Sequence, residues 1–221
     1  MPCVDLIVRV CPTACTARTS SLLHDDIAIS STFLPEPGLT LAVMYGCSEA
    51  QKQRIIHRLG TLELAYNHPT LLPGLLAELE RIRLFGMVDN LLDNFALRAW
   101  ADRELDLDMD KAKLSSFLKL CFESRDLMNQ LQAVKKQLVK MIAETTKFGE
   151  LISQKSVDDL FALGFQKRLK CAGEQINSQL DEIQTEFDDK INDCHMIIDN
   201  MSLTMQTASR ALSQDLPVLS D

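Results

Sequence analysis

The sequence predicts a mainly α protein with a small β part (α+β). An N-terminal β-hairpin or short sheet with helices precedes two very long antiparallel helices, paired as a coiled-coil hairpin. Three observations predict this. From about residue 115 onward, apolar residues recur every three or four positions, which keeps one side of each helix apolar. Five of the seven prolines (Pro2, Pro12, Pro35, Pro37, Pro69) precede residue 70, so the rest of the chain is nearly free of helix breakers. The first of two alternating runs has Ile27, Ile29 and Phe33 on one face. The second has Leu39, Leu41, Val43 and Tyr45, and the runs flank Pro35-Glu36-Pro37-Gly38, a sequence suited to a reversing loop.

Residues 1–23 read as a poorly ordered N-terminus or a short strand, with Leu6–Val10 as the candidate third strand. A small α+β head is expected over 24–105, with the hairpin at 27–45 and helices at 49–66 and 70–100. Ser48, followed by Glu49 and Gln51, forms an N-cap with an acid in the first turn. Asn67-His68-Pro69 breaks the chain, because a residue before proline avoids the α region. The next helix carries Leu72, Leu76, Leu79, Ile82, Phe85, Val88, Leu91, Leu92, Phe95 and Trp100, with Glu78, Glu80, Arg81 and Arg83 as its polar side.

A long helical hairpin is expected over 106–214, from helices at about 108–152 and 156–213, with 215–221 as a tail. The seam of the first reads Phe117, Leu120, Ser124, Leu127, Leu131, Val134, Leu138, Met141, Thr145, Phe148 and Ile152. Its alternation of four and three is the period of a left-handed coiled coil. The second reads Leu169, Ala172, Ile176, Leu180, Ile183, Phe187, Ile191, Cys194, Ile198, Met201, Met205, Ala208 and Leu212. A short connection makes two such helices antiparallel neighbours, each covering the other's stripe.

Charge divides the chain. Ten carboxylates and two basic residues (Lys190 and Arg210) between 171 and 221 account for the whole net charge of −8. An acidic arm, with no basic stripe to offset it, argues against nucleic acid as a partner. Seven scattered cysteines with no paired spacing argue for reduced thiols in an intracellular protein. Cys3, Cys11 and Cys15 lack a fourth ligand at a familiar metal-binding spacing. Asp5 and Arg9 interrupt the first apolar run, which therefore fails as a secretory core. No window reaches the ~18–20 uninterrupted apolar residues of a membrane span.

No nucleophile elbow, phosphate-binding glycine loop, zinc-helix motif or EF-hand loop occurs, and the four histidines lie far apart. A non-enzymatic protein without a resident cofactor is expected. The candidate metal ligands are Glu182, Glu186, Asp189 and Asp193, stacked along one helical face at spacings of four, three and four. Each like-charge neighbour costs ~0.2–0.5 kcal/mol in an isolated helix. Lysines of the preceding helix (Lys135, Lys136, Lys140, Lys147) are the simpler compensation. The other is a weakly bound hard cation, Mg2+ or Ca2+, shared between helices or subunits.

Two segments resemble a family known mainly from fungi, the CorA-like divalent-cation (Mg2+) transporters. Asn67-His68-Pro69-Thr70-Leu71-Leu72-Pro73-Gly74-Leu75-Leu76-Ala77-Glu78-Leu79-Glu80-Arg81-Ile82-Arg83 is similar to part of their soluble domain. Phe187-Asp188-Asp189-Lys190-Ile191-Asn192-Asp193-Cys194, continuing to Met201-Ser202-Leu203-Thr204-Met205-Gln206, is similar to their stalk. The resemblance implies a β-containing head and a helical stalk. It carries over no pore or catalytic residue, because the Gly-Met-Asn loop between the family's membrane helices does not occur here. The expectation is a helical interaction or scaffold protein that does not conduct ions by itself. Its location would be cytoplasmic, or peripheral to a membrane through a partner. Its partners would be other protein chains, either further copies or CorA-like transporter subunits. The alternative is a regulatory or truncated paralogue that joins full-length subunits and senses divalent cations through the acidic face.

Overall fold

The computed structural model describes residues 7–11, 14–19, 26–34, 38–61, 67–104, 111–154 and 160–214. Four strands come first: β1 (Ile7–Cys11), β2 (Ala14–Arg18), β3 (Ala28–Leu34) and β4 (Leu39–Tyr45). They form an antiparallel sheet in the order β1-β2-β3-β4. The register sets Val8 opposite Ala17, Ala17 opposite Ile29, and Ile29 opposite Met44. Ala17, Ile27, Ile29, Ser31 and Phe33 are buried on the inner face. Gly38 and Gly46, at the two ends of β4, have φ of 60° and 79°, which glycine adopts without a Cβ penalty.

Four helices follow: α1 (Glu49–Thr61), α2 (Leu71–Glu104), α3 (Lys111–Gln154) and α4 (Leu160–Gln214). A reciprocal box caps α1. Ser48 N–H donates to Gln51 Oε1 at 2.8 Å, and Gln51 N–H donates to Ser48 Oγ at 3.3 Å. The sequence therefore places the start of α1 correctly. Residues 62–66, the end expected for this helix, and the tail 215–221 lie outside the described residues.

The chain divides into two compact units, residues 1–83 with 132–187 and residues 84–131 with 188–221. The first holds the sheet, α1, the start of α2, the C-terminal half of α3 and the N-terminal half of α4. There Phe33 meets Phe148 of α3 edge-on, with ring centroids 5.7 Å apart. Gly74 of α2 lies beside Ile176 of α4, and Arg81 pairs with Glu186 further along, so these two segments run parallel. Asn177 Nδ2 donates to Thr146 Oγ1 at 2.9 Å, joining α4 to α3. The second unit consists of segments of α2, α3 and α4, where Arg98 donates to the Ser116 carbonyl at 2.7 Å.

The expected seams are largely present. On α3, Phe117, Leu120, Ser124, Leu127, Leu131, Val134, Leu138, Met141 and Thr145 are all buried, while Phe148 and Ile152 are only half-buried. On α4, every expected position from Leu169 to Cys194 is buried, together with Met201. Ile197 is fully buried in place of Ile198, which is half-buried. The step from Cys194 is therefore three residues, not four. Met205 is half-buried, and the side chains of Ala208 and Leu212 lie outside the described residues.

Two other expectations are corrected. The N-terminal region contributes two strands, because β2 pairs along its whole length with β1 and β3. Glu80 is 2% exposed instead of lying on a polar face, and Ile82 is 39% exposed. The first turns of α2 are buried on nearly all sides, so a carboxylate facing inward needs a partner; Arg83 supplies it at 2.8 Å through Nε. Beyond these corrections, the row Leu39, Leu41, Val43 and Tyr45 on β4, which the sequence places on one face, is exposed.

Urea unfolding should separate the buried side chains by chemistry. Phe187→Ala removes a ring with no exposed surface and should lower stability by about 3–5 kcal/mol. Ser124 Oγ is buried with no hydrogen-bond partner, so Ser124→Ala should leave stability unchanged or raise it by about 1 kcal/mol.

Candidate functional site

The four candidate carboxylates lie on α4, whose length keeps them on one side of the buried seam. Two belong to the first unit. Glu182 is exposed, and Glu186 is half-buried and bonded to Arg81 of α2. The other two belong to the second unit. Asp189 is exposed, and Asp193 lies 3.3 Å from Lys190 Nζ. Lys190 also reaches Asp89 of α2 at 2.7 Å and lies 6.0 Å above the Phe85 ring. Hydrogen bonding to Asp89 first, and then to Asp193, pushes the Lys190 ammonium pKa above its ordinary range. Arg81 and α4's own Lys190 offset part of the charge on this face. Glu182 and Asp189 have no ion pair among the described residues. Nor, among those residues, do three His, Cys, Asp or Glu side chains converge as a metal ion would require.

A buried polar cluster that the sequence does not announce lies in the first unit. His68 is 1% exposed, beside the start of α2. Its Nδ1 accepts from the Thr70 backbone N–H at 3.3 Å and lies 2.8 Å from Thr70 Oγ1. Thr145 Oγ1 of α3 is 3.1 Å from Thr70 Oγ1 and 2.8 Å from the Met141 carbonyl, and its single proton serves one of them at a time. With Nδ1 accepting, the neutral ring carries its proton on Nε2, and that buried atom has no partner. Phe148 stacks edge-on against the ring at 5.2 Å. On the other side is Gly173 of α4, where an added Cβ would lie 3.0 Å from Nε2. A glycine at 173 is thus what lets α4 approach the imidazole. Burial depresses the His68 pKa to about 4, so the ring is neutral at physiological pH.

Above this cluster, a groove of about 870 Å³ runs between α3 and α4. Glu150, Glu174, Asp181 and Glu182 line it, with Lys170 as the one base. Asn177 Oδ1 is buried there without a donor. Such a surface attracts cations and hydrogen-bond donors. In the second unit, a groove of about 570 Å³ is lined by Leu118, Cys121, Phe122, Arg125, Ile198 and Met205, among others. Leu118 is 39% and Phe122 60% exposed.

The described cysteines Cys47, Cys121, Cys171 and Cys194 are free thiols. Cys194 is fully buried in the α4 seam and behaves as a small hydrophobe; burial pushes its thiol pKa up to about 11. The side chains of Cys3, Cys11 and Cys15 lie outside the described residues.

The depressed His68 pKa makes stability depend on pH. The unfolded chain takes up the proton near pH 6.5 and the folded chain only near 4, so stability is full above about 6.5 and falls across that window. The loss should reach roughly 3 kcal/mol by pH 4. Urea titrations of His68→Asn between pH 7 and 4 should show a flatter profile. An unchanged slope would assign the acid sensitivity to other groups.

Comparison with protein-family models, with curated proteins and with solved structures returns no match for this chain.

Proposed function

We propose that this chain is a non-enzymatic helical interaction or scaffold protein, resembling the cytosolic domain of a CorA-like Mg2+ transporter, and that it works by offering helix surfaces to other protein chains. The observation that carries this reading is the α3–α4 groove of the second unit. Phe122 is 60% exposed and Leu118 39% exposed, side by side on one wall of that groove. An apolar groove between two helices is the form that accepts a third, amphipathic helix. Leu97 and Leu203, 70% and 60% exposed, add apolar surface to the same unit. Among the described residues, no helix is long and apolar enough to cross a membrane.

The second reading, a regulatory paralogue that senses divalent cations, draws on Glu182 and Asp189, which have no ion pair among the described residues. It is weakened because the other two members of the row are already occupied by Arg81 and Lys190. A cation would have to compete with those pairs.

Light scattering on the full chain tests the preferred reading. The protein should self-associate, and Phe122→Asp should lower its mean mass without a comparable fall in melting temperature. Millimolar Mg2+ at matched ionic strength should change neither mass nor melting temperature. Equal masses for variant and parent would contradict the groove as the interaction surface, and growth on adding Mg2+ would favour the sensor.

A further inference from the structure

The order β1-β2-β3-β4 leaves β4 at one edge of the sheet, paired with β3 alone. Half of its backbone N–H and C=O groups therefore face away from the sheet. Edges of this kind are usually blunted by a charge, a proline or a bulge. None of these devices interrupts β4. Leu39-Thr40-Leu41-Ala42-Val43-Met44-Tyr45 carries no charge and no proline, and its seven-residue register with β3 is unbroken.

The side chains reinforce the point. Leu39, Leu41, Val43 and Tyr45 lie in one row on the outer face, 44%, 53%, 53% and 63% exposed. Leu34, opposite Leu39 on β3, extends that row at 37%. On the inner face, Thr40 Oγ1 donates to the Asn67 carbonyl at 3.0 Å, which fastens the strand to the body of the unit. Among the described residues, a well-anchored, uncharged edge with an apolar row is therefore unpaired along its length.

The sequence of β4 also indicates what fits there. Its outer-face row is apolar on both sides of Ala42, with Leu39 and Leu41 before it and Val43 and Tyr45 after it. A two-fold axis beside Ala42 would set Leu39 against the second copy's Tyr45, Leu41 against its Val43, and Thr40 against its Met44. Each outer-face residue then meets an apolar partner, and no like charges are brought together. We propose that β4 is a self-association edge, through which two copies of the chain join antiparallel about Ala42 to continue one sheet into another. A seven-residue strand on each side covers well under the ~800 Å² per partner of a standard interface, so the dimer is weak and concentration-dependent.

This surface is separate from the Phe122 groove, and the test is built to keep the two apart. Sedimentation of the full chain carrying Phe122→Asp should show a monomer–dimer equilibrium over about two decades of concentration. Adding Leu41→Lys/Val43→Lys places cations opposite each other across the axis and should weaken the dimer at least about tenfold. Adding Leu41→Glu/Val43→Lys instead places opposite charges against each other in the same register and should restore it. All of these positions are exposed, so circular dichroism and melting temperature should match the parent. A parent that stays monomeric throughout, a lysine pair that leaves the dimer intact, or a charge pair that fails to restore it would each overturn the proposal.

Discussion

Burial of the α4 apolar stripe is the constraint on which the rest of the structure depends. A 55-residue helix with an acidic C-terminal half gains little from propensity alone, and its like-charged neighbours oppose it. What stabilises it is the removal of side chains such as Leu180, Phe187 and Ile197 from water, each 1% exposed or less. That requirement recruits a matching seam on α3 in both units and places α2 against α4. Once the seam faces inward, the carboxylate row is carried to the flank of α4. There Arg81 of α2 pairs with Glu186, and Lys190 of α4 is shared between Asp193 of the row and Asp89 of α2.

The helical part was legible because one pattern specifies it. A three-four alternation of apolar residues identifies α3 and α4 and most of their buried positions, and even the polar Ser124 and Thr145 fall where the period puts them. The misreading at Ile198 has a local cause. Ile197 and Ile198 are adjacent and chemically identical, so only packing selects the one that faces inward. Glu80 was misplaced for a different reason: a periodic reading assigns charge to the solvent side, whereas this carboxylate is covered together with Arg83.

The sheet was harder to read. β2 (Ala-Cys-Thr-Ala-Arg) has small residues and a weak alternation, so nothing in its pattern marks it as a central strand. β4 has a strong alternation, but alternation says only that its apolar residues share a face, not that the face is covered. The buried cluster around His68 was legible only as a chain break at Asn67-His68-Pro69. Its partners, Thr145 and Gly173, are separated from it by roughly 75 to 105 positions and meet it only in the folded chain. The row Glu182, Glu186, Asp189 and Asp193 was visible as a row, whereas its pairing with Arg81 was not, because Arg81 comes from a helix that the sequence assigned to the head. The proposed scaffold role inherits this division: its helix surfaces follow from periodicity, and its exposed patches follow from the structure.

Hydrogen exchange along α4 tests the account most directly. Amides between Ile176 and Met201, on the buried seam, should exchange only through openings nearly as costly as unfolding of the unit that holds them, and far more slowly than those of a free helix. Exchange across that span at the rate of an isolated, fraying helix would contradict it, because the stripe would then not be covered.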